Sequence, residues 1–436
     1  MRTEDKRNIA ILGGGVAGWW TACYLEQHHP DFKITVYDTD EIPILGVGES
    51  TIPQIKWYFD ALGIKESEWF SKCHAVKKYG NYKQNWDHKD GHVYIQQFQN
   101  RPFKKFDEMM ANENYWQDGK LLNRKIFDDL FEHPSIPAYW NSYHIPAEEI
   151  ALVTKQKCKN VNLINERVYE LPKGYDLYVD CTGLNSSFTK DKTTIEISPY
   201  HLVNKAWICP MQNLPDDKNV KYTKSIARSC GWSFEVVMTH RVGVGYVFSD
   251  KHISEDDALE EYKDIYKSLN RTPLPNCKPR LIQWEPKVLK NPWSDNVVAL
   301  GSSAMFIDPL EAMALFNLMS GIIQLSKCLK KGYSQKVYNR QMQFIFKNGR
   351  DMQAAQYCLT SRTDTSFWRE VIQGKDYYDK LIWDYYAKSE NKSNNYKDGY
   401  SAMTANDEKA LIDHFYCTLG IMMNSVKNYR KKEYYG

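Results

Sequence analysis

Three glycines near the start of the chain have the spacing of a phosphate-binding turn. They are Gly13, Gly15 and Gly18, in a G-x-G-x-x-G pattern. The first glycine permits a tight turn, the second lets backbone N–H groups approach a pyrophosphate, and the third allows strand and helix to pack closely. Asp38 lies twenty positions after Gly18, where a carboxylate can accept hydrogen bonds from a ribose hydroxyl. These residues predict dinucleotide binding.

The segments around these glycines are the ones that a dinucleotide-binding turn requires. Apolar residues 9–12 predict a buried parallel strand, residues 19–25 a helix, and residues 34–37 a second strand. The helix would begin at the turn, so the backbone amides of Val16 and Ala17 would face the phosphates. A glycine turn alone is often only structural, and the prediction therefore depends on the order of all these parts.

Two further apolar segments also end in glycine turns. They are residues 176–180, followed by Thr182 and Gly183, and residues 296–300, followed by Gly301 and Ser302. Such returns to one sheet suit a cofactor that is held along its length, and we expect these turns to contact it. A second G-x-G-x-x-G for a nicotinamide cofactor is missing. The pattern therefore favours FAD over NAD.

The composition is that of an ordinary globular protein. Of the 436 residues, 42% are apolar and 25% are charged, and the net charge is +3. So small a charge gives no electrostatic basis for binding nucleic acid. The chain is long enough for one domain with insertions or for two domains. Its 30 tyrosines and 13 tryptophans can build both a core and pockets for flat organic molecules.

Cysteine usage and the apolar segments bear on the compartment of the protein. The ten cysteines are scattered without a C-x-x-C pair, which predicts a reducing, cytoplasmic location with neither disulfides nor zinc. His240 and residues 28–29 are too isolated to predict a metal site. Residues 1–7 leave no room for a signal peptide. The apolar run 313–329 is interrupted by polar residues and predicts a buried helix rather than a membrane span.

Several segments, taken in chain order, resemble the motifs of the flavin-dependent halogenases of the tryptophan-halogenase-like group. Residues 13–19 resemble GGGxAGW, 46–53 resemble GVGEATIP with Ser50 for alanine, 231–237 resemble GWxWxIP, 309–311 resemble the start of PLES, and 362–368 resemble RxDTPFW. Each motif alone is unspecific, but the set is specific and covers most of the chain.

This resemblance implies a reaction and a set of partners. Family members bind FAD and receive it as FADH2 from a separate NAD(P)H-dependent flavin reductase. Oxygen and a halide ion then give hypohalous acid, which travels to an active-site lysine beside an aromatic small molecule. The small net charge and the interrupted apolar run lead us to expect neither nucleic acid nor a membrane as partner, and a homo-oligomer is open. Chloride, bromide and iodide are all open as the halide.

The resemblance also assigns residues. The catalytic glutamate corresponds to Glu311, although an acid at a helix start is commonly only structural. Four residues before Trp86, where the family has its lysine, this chain has Tyr82. We therefore assign the role to Lys83, one position later, with Lys78 as the alternative. The alternative to a catalytic role is that both residues are solvated lysines on the protein surface. The remaining assignments are Gly48, Glu49 and Leu315 at the cofactor, and the backbone amides of Met313 and Ala314 at the halide.

The resemblance and the element pattern together predict an α/β fold with α+β insertions. It contains a Rossmann-like FAD-binding module of the FAD-monooxygenase type, an inserted antiparallel sheet and a helical C-terminal region. The predicted boundaries are 1–75, 150–200 and 280–330 for the discontinuous module, 76–149 and 201–279 for the inserted region, and 331–436 for the helical region. Within them we expect helices over 55–75, 122–131, 147–156 and 255–268, and strands within 77–106 and 201–250.

Departures from the motifs leave two alternatives open. Phe234 replaces the second tryptophan of GWxWxIP, and Val236 and Val237 replace Ile-Pro. Those family residues are thought to block a monooxygenase route, so an FAD-dependent aromatic monooxygenase is the first alternative. The displaced lysine makes a catalytically inactive flavin-binding protein the second. The segment after Trp368 is shorter than in the tryptophan enzymes, which favours a differently shaped aromatic or heteroaromatic substrate.

Overall fold

A computed structural model describes most of the chain, and parts of the predicted organisation fall outside what it describes. The described residues are 7–39, 47–89, 91, 93–97, 116–117, 120–121, 141–184, 186 and 188–381. The predicted helix over 122–131, Gly46 of the loop at 46–53, and residues 382–436 of the C-terminal region lie outside these ranges.

Eight α-helices occur within the described ranges. They are α1 (Val16–His28), α2 (Gln54–Ala61), α3 (Glu66–Trp69), α4 (Ala147–Lys157), α5 (Glu255–Ser268), α6 (Met313–Lys331), α7 (Gln335–Cys358) and α8 (Ser366–Val371). Short 3-10 turns lie at Pro215–Asn219, Gly301–Ser303, Leu310–Ala312 and Ile372–Gly374.

The described ranges also contain twenty strands, several of which follow one another without an intervening α-helix. They are β1 (Asn8–Leu12), β2 (Lys33–Asp38), β3 (Glu49–Ser50), β4 (Val76–Lys78), β5 (Gly80–Gln84), β6 (Val93–Gln97), β7 (Trp116–Gln117), β8 (Lys120–Leu121), β9 (Ser142–Ile145), β10 (Asn162–Asn165), β11 (Leu177–Asp180), β12 (Lys205–Met211), β13 (Tyr222–Ala227), β14 (Gly231–Val237), β15 (Val242–Phe248), β16 (Arg280–Gln283), β17 (Lys287–Val288), β18 (Trp293–Ser294), β19 (Val297–Ala299) and β20 (Met305–Phe306).

The first large sheet carries the glycine turns. Its strand order is β10-β2-β1-β11-β19-β18, and all neighbours except β18 and β19 pair in parallel. The strands β1, β11 and β19 are almost fully buried. One face packs against helices that include α1 and α6, and the other packs against apolar residues between 164 and 188, which agrees with the continuous apolar runs of a parallel sheet. Because parallel strands end at one edge, the three predicted turns lie side by side. The predicted Rossmann-like module is confirmed.

The second large sheet carries the inserted segments. Its order is β16-β12-β15-β14-β13-β5-β6. The strands β12 to β15 pair in antiparallel fashion where they are neighbours, which confirms the expectation for residues 201–250. Strand β5 joins β13 in parallel, from Tyr222 opposite Gly80 to Ile226 opposite Gln84. The sheet is therefore mixed, since the strands from 77–106 are added at its edge.

A small sheet connects the loop after β2 to the second sheet. It has the order β3-β9-β4, and both of its pairings are antiparallel. Ser50 and Val76 both pair with His144 on the central strand β9. The strand β9 thus holds β3 and β4 on its two sides and brings together three chain segments that are far apart in sequence.

The helices agree with most of the sequence expectations. Residues 313–329 lie within α6. Among the described helices, α6 is long and apolar enough to cross a membrane, but 78% of its apolar stretch is buried inside the protein. The single helical region expected over 55–75 is instead the two helices α2 and α3. Gly63, which has a φ of +62°, lies in the turn between them. The domain boundaries stay a prediction.

Candidate active site

The turn after β1 has two positions that only glycine can fill. Gly13 has a φ of +106°, and a Cβ there would lie 2.6 Å from the carbonyl oxygen of Cys181. A Cβ on Gly18 would lie 1.8 Å from the carbonyl oxygen of Gly13. The first contact brings the turn against β11, and the second lets α1 begin directly above the strand. The spacing predicted from the sequence therefore has the expected physical cause.

The N-terminus of α1 fits a bound phosphate. Gly15 is its N-cap residue, no side chain caps the helix, and its first turn holds no acidic residue. A Cβ on Gly15 would meet no atom within 4 Å, so the space in front of the helix is open. The backbone amides of Val16 and Ala17 lie at this end, where a helix favours an anion.

Asp38 lies at the end of β2, beside the glycine turn. Its carboxyl group leaves no room for a Cβ on Gly14, which would lie 1.8 to 2.1 Å from the three carboxyl atoms. One carboxylate oxygen accepts a hydrogen bond of 2.8 Å from the amide of Thr39. The ribose-binding position predicted for Asp38 is therefore next to the phosphate-binding turn.

Asp180, which the sequence reasoning missed, joins the second and third glycine turns. Asp180 is fully buried at the end of β11. Its Oδ1 accepts hydrogen bonds from the Thr182 hydroxyl at 2.7 Å and from the Ser303 hydroxyl at 3.2 Å. The amide of Gly183 donates to Ser303 Oγ at 2.9 Å. A Cβ on Gly301 would lie 3.3 Å from the Cβ of Ala17, so the third turn touches the first. Ser302 lies in this third turn, between Gly301 and Ser303.

The loop that was predicted to cover the cofactor packs against the second sheet. A Cβ on Gly48 would lie 2.7 Å from the Met238 side chain, and Gly48 has a φ of +84°. Glu49 begins β3 and pairs with Ile145. Burial, and secondarily the charge of Glu148, raises the pKa of Glu49 to about 7. This carboxyl group therefore changes charge near neutral pH.

Lys83 and Glu311 meet in the interior. Lys83 Nζ donates to Glu311 Oε1 at 2.5 Å, and the side chains are 1% and 2% exposed. Asn81 Nδ2 lies 3.4 Å from the other carboxylate oxygen, and the Lys83 ammonium lies 4.8 Å from the centre of the Trp86 ring. Tyr82 points to the opposite face, where its ring stacks on Tyr222 at 5.5 Å.

The alternation of a strand explains this arrangement. Asn81 and Lys83 are two residues apart on β5, so their side chains lie on one face, and Tyr82 between them lies on the other. The structure thus brings Lys83, and not Tyr82, to the predicted glutamate. Asn81 was not predicted, although the i, i+2 spacing to Lys83 could have indicated it.

Glu311 projects from a strained turn. Glu311 and Ala312 have φ values of 63° and 55°, in the left-handed region that costs a non-glycine residue of order 1 kcal/mol. Asp308, which is 2% exposed, supports the turn by accepting the Leu310 amide at 2.8 Å. The sequence reasoning missed this residue. Its bond to Leu310 is local, but its other partners lie far away in the chain, so the sequence alone does not indicate how firmly the turn is held.

Asp308 is held by four groups in all. Its Oδ1 also accepts from Gln353 Nε2 at 2.8 Å, and its Oδ2 accepts from the Tyr357 hydroxyl at 2.7 Å. His201 Nε2 lies 2.8 Å from Oδ2. The Tyr357 hydroxyl in turn accepts from Trp232 Nε1 at 2.8 Å. The Glu311 turn is therefore fixed to α7 and to the strand that carries the GWxWxIP-like motif.

The N-terminus of α6 follows this turn directly. Ala312 is its N-cap residue, no side chain caps it, and its first turn has no acidic residue. The backbone amides of Met313, Ala314 and Leu315 lie in that first turn. Such amides favour an anion, so the position predicted for the halide has suitable donors next to Glu311.

Lys78 is a second buried lysine near this site. It is 1% exposed, and its Nζ donates to Ser50 Oγ at 2.7 Å and to the Thr51 carbonyl oxygen at 3.1 Å. Burial is the main reason that the pKa of Lys78 is lowered to about 7. The charge of Glu311 acts in the opposite direction and raises this pKa, whereas the charge of Lys83 lowers it. Neither Lys78 nor Lys83 is a solvated surface lysine.

His240 is less isolated than the sequence suggests. Ligand atoms of His74, Glu149 and His240 lie within 4.8 Å of one another, and His74 Nδ1 lies 2.8 Å from Glu149 Oε1. A ring nitrogen of His240, however, lies 2.6 Å from Arg241 Nη1, so a cation would have to displace the guanidinium group. That the protein has no metal site stays a prediction.

A parallel sheet has glycine turns along one edge, and strand β5 of a second sheet places Lys83 against Glu311 of the turn before α6. This arrangement suits a dinucleotide-binding redox enzyme. The family model described as tryptophan halogenase matches residues 8–139 and 147–401. The chain belongs to this family and is an enzyme of the flavin-dependent halogenase class. Flavin-dependent halogenation of an aromatic substrate is the activity at the level of the family.

Individual relatives agree with the family assignment. Tryptophan 7-halogenase KtzQ from Kutzneria sp. (strain 744) is 29% identical over 426 residues, which cover 83% of this chain and 78% of the relative. Tryptophan 6-halogenase ThaL from Streptomyces albogriseolus is 27% identical, with the same coverage. The structure of Xcc4156, a flavin-dependent halogenase from Xanthomonas campestris, is similar with a TM-score of 0.75 at 21% identity, covering 98% of this chain and 94% of that one. The structural likeness shows a shared fold.

Proposed function

We propose that this protein halogenates an electron-rich aromatic or heteroaromatic small molecule, with a halide ion as co-substrate and FADH2 supplied by a separate flavin reductase. The observation that carries the proposal is the buried ion pair between Lys83 and Glu311, at 2.5 Å. It lies beside the uncapped N-terminus of α6, which offers a halide the donors that an anion needs. Membership of the family supports the reaction type.

The flavin, when bound, would supply the electrons that reduce oxygen, and the oxidant formed in this way would oxidise the halide. The N-terminal amides of α1 hold its phosphates, and Asp38 accepts hydrogen bonds from its ribose. The amides of Met313 and Ala314 hold the halide ion. These roles follow from the uncapped helix ends and from the place of Asp38 beside the glycine turn.

Lys83 and Glu311 act on the oxidised halogen and on the aromatic ring. The Lys83 ammonium donates a hydrogen bond to hypohalous acid and directs its halogen towards one carbon. The carbon–halogen bond forms as the halogen–oxygen bond of hypohalous acid breaks, and the departing hydroxide leaves as water with a proton from the Lys83 ammonium. Glu311 accepts the proton that the ring loses. Its two oxygens face Lys83 and Asn81, so the carboxylate has one orientation. Both charged groups are buried, and this keeps water away from a reactive oxidant.

Halide-dependent product formation tests the proposal. The protein is incubated with a flavin reductase, NADH, FAD, each halide in turn and a panel of indoles, phenols and pyrroles that includes tryptophan, and products are measured by mass spectrometry. We expect halogenated product from the wild type and loss of at least about 100-fold in Glu311→Gln, the range typical of a lost acid–base group. FAD binding by the variant controls for folding.

The two buried lysines are separated in the same assay. Lys83→Ala should abolish product, whereas Lys77→Ala, a half-exposed neighbour of Lys78, should leave product unchanged. Loss of product in Lys78→Ala with retention in Lys83→Ala would transfer the role of the catalytic amine to Lys78. No halogenated product from the wild type with any halide or substrate would contradict the proposed function.

One observation favours a hydroxylating alternative. Phe234 occupies the place of the second motif tryptophan and packs over Gly245, whose Cβ would lie 2.4 Å from its ring. Hydroxylated product that forms without halide would establish a monooxygenase, and FAD binding without any product would establish an inactive flavoprotein.

Because Met313 and Ala314 replace Thr-Gly of the family at the halide position, we also propose that bromide and iodide react faster than chloride. Faster turnover with chloride would contradict this. A cytoplasmic location also remains part of the proposal.

A further inference from the structure

A hydrogen-bonded chain of side chains leads to Lys78, and all of its side chains except the half-buried Ser50 are buried. Lys78 Nζ lies 2.7 Å from Ser50 Oγ, and Ser50 Oγ lies 2.7 Å from Thr223 Oγ1. Thr223 Oγ1 lies 2.8 Å from His144 Nε2, and His144 Nδ1 lies 2.9 Å from the Val237 carbonyl oxygen. The members come from five strands, β4, β3, β13, β9 and β14. Lys78 and His144 are at most 1% exposed, and Thr223 is 6% exposed.

The chain has one direction of donation. A carbonyl oxygen only accepts, so His144 Nδ1 carries a proton, and in the neutral ring Nε2 is then an acceptor. Burial, and secondarily the charge of Lys78, lowers the pKa of His144 to about 3, which keeps the ring neutral at pH 7. Thr223 therefore donates to His144, Ser50 donates to Thr223, and the Ser50 oxygen is left to accept a proton of Lys78.

We propose that Ser50, Thr223 and His144 are positioning residues that hold Lys78 as a second amine of the active site and give its proton a path to His144. The purpose of this arrangement rests on the proposed function, but the hydrogen bonds among these side chains do not depend on that function. Thr223 lies opposite Asn81 in the pairing of β13 with β5, and Asn81 Nδ2 lies 3.4 Å from Glu311, so Lys78 and its hydrogen-bonded partners belong to the same interior as Glu311 and Lys83. Those two groups and His144 are the titratable neighbours that face it.

The proton transfer along this chain is balanced. One proton leaves the Lys78 ammonium for Ser50 Oγ, each hydroxyl passes its own proton onward, and His144 Nε2 receives the last one. Lys78 becomes a neutral amine, His144 becomes an imidazolium ion, and the total charge is unchanged. Because burial disfavours the imidazolium ion, the proton returns unless the neutral amine is used by a reaction.

Ser50 makes this arrangement particular to the present chain. The motif that residues 46–53 resemble has alanine at this position, and alanine has no hydroxyl group to join Lys78 to Thr223. Ser50→Ala therefore removes the central link while leaving the Cβ in place. Thr223→Val removes the next hydroxyl and keeps the side-chain shape, so neither variant opens a large cavity.

The pKa of Lys78 can be measured by NMR on the full-length protein labelled with carbon-13 at the lysine Cε. The Lys78 signal is assigned by its loss in Lys78→Met. In Ser50→Ala the ammonium loses an acceptor, so the pKa of Lys78 should fall by about one unit, a tenfold weaker proton affinity, as expected for a hydrogen bond to a charged group. In Thr223→Val the Ser50 hydroxyl is free to donate to the neutral amine, so a smaller fall is expected.

The controls distinguish positioning from general damage. The Lys83 signal, assigned in the same way, and the melting temperature should be unchanged in both hydroxyl variants. An unchanged Lys78 titration in both variants would overturn the inference. If the titration shifts as expected but the wild type makes no halogenated product, the proposed function fails while the hydrogen-bonded chain stands. If the wild type makes product and the titration does not shift, this inference fails alone.

Discussion

At the scale of single residues, the site depends on which face of β5 each side chain occupies. The sequence identified the segment and the glutamate, but the position of the lysine was shifted by one from the motif. Strand alternation resolves this, because Asn81 and Lys83 face Glu311 while Tyr82 stacks on Tyr222. Sequence spacing alone cannot show this, since a shift of one residue reverses every side chain of a strand.

A second residue-scale consequence concerns the charge of Lys78 and the stability of the fold. The pKa of Lys78 is lowered to about 7 in the folded state from an ordinary lysine value of about 10.4. Between these pH values the unfolded chain binds more protons, so this residue makes stability rise with pH from about 7 to 10. The slope it contributes is at most about 1.4 kcal/mol per pH unit.

We therefore predict that Lys78→Met removes this rise. The free energy of unfolding, measured with denaturant at several pH values, should increase less between pH ~7 and ~10 in the variant than in the wild type. Lys77→Met, which changes a half-exposed lysine on the same strand, serves as the control and should keep the wild-type slope. Equal slopes in all three proteins would show that Lys78 is not held with a lowered pKa.

At the scale of elements, Asp308 joins the Glu311 turn to α7 and β14. The turn follows β20 directly, and its backbone would otherwise have to hold two left-handed residues without support. Asp308 accepts hydrogen bonds from Leu310 and Tyr357, and Tyr357 accepts one from Trp232. These contacts span more than a hundred residues of sequence, so no local pattern could have predicted them.

We predict that Tyr357→Phe loosens the turn without removing a group that touches substrate. The variant leaves Trp232 Nε1 and one oxygen of Asp308 with one partner fewer, at a cost of about 1–3 kcal/mol in the free energy of unfolding. Halogenation should fall while FAD affinity stays the same, because α1 and its glycine turn are not involved. A parallel loss of FAD affinity would show that the hydroxyl acts on the fold as a whole.

The N-terminus of α1 permits a test that separates folding from cofactor binding. A side chain at Gly15 meets no neighbour, and aspartate is a good N-cap residue. Gly15→Asp should therefore keep or slightly raise the stability of the free protein. It should weaken FAD binding by at least roughly tenfold, because its charge occupies the place of the phosphates.

Gly15→Asn is the matched control for the size of the new side chain. It caps the helix in the same way but carries no charge, so it should bind FAD more tightly than Gly15→Asp does. Affinities are measured by titration of the protein with FAD. Equal affinities in the two variants would show that charge at this helix end does not matter, and would argue against a phosphate there.

The predictability of elements varied with how local their signals are. Helix α5 runs over Glu255–Ser268, as its pattern predicts, and the Ser254 side chain caps it through the Asp257 amide. Residues 55–75 were expected to be one helical region, but Gly63 in its left-handed conformation divides them. A cap and a glycine are both readable in the sequence, but whether a glycine ends a helix depends on the packing around it.

At the scale of the whole molecule, the site lies where segments from both large sheets meet. Lys83 belongs to the second sheet, whereas Glu311 lies in the connection from the first sheet to α6. The small sheet of β3, β9 and β4 brings Ser50 and Lys78 to the same interior. The glycine turns, the buried lysines and the carboxylate are thus held by rigid elements, which suits a reaction that must direct an oxidant from one place to another.

The most direct test of this account is one reaction analysed by mass spectrometry. Wild-type protein, a flavin reductase, FAD and an electron-rich indole are incubated with bromide under isotopically heavy oxygen. We predict a product with the paired isotope pattern of bromine and no heavy oxygen, formed only when bromide is present. A product that carries heavy oxygen and no bromine, or no product while FAD remains bound, would contradict the assignment of a halogenase.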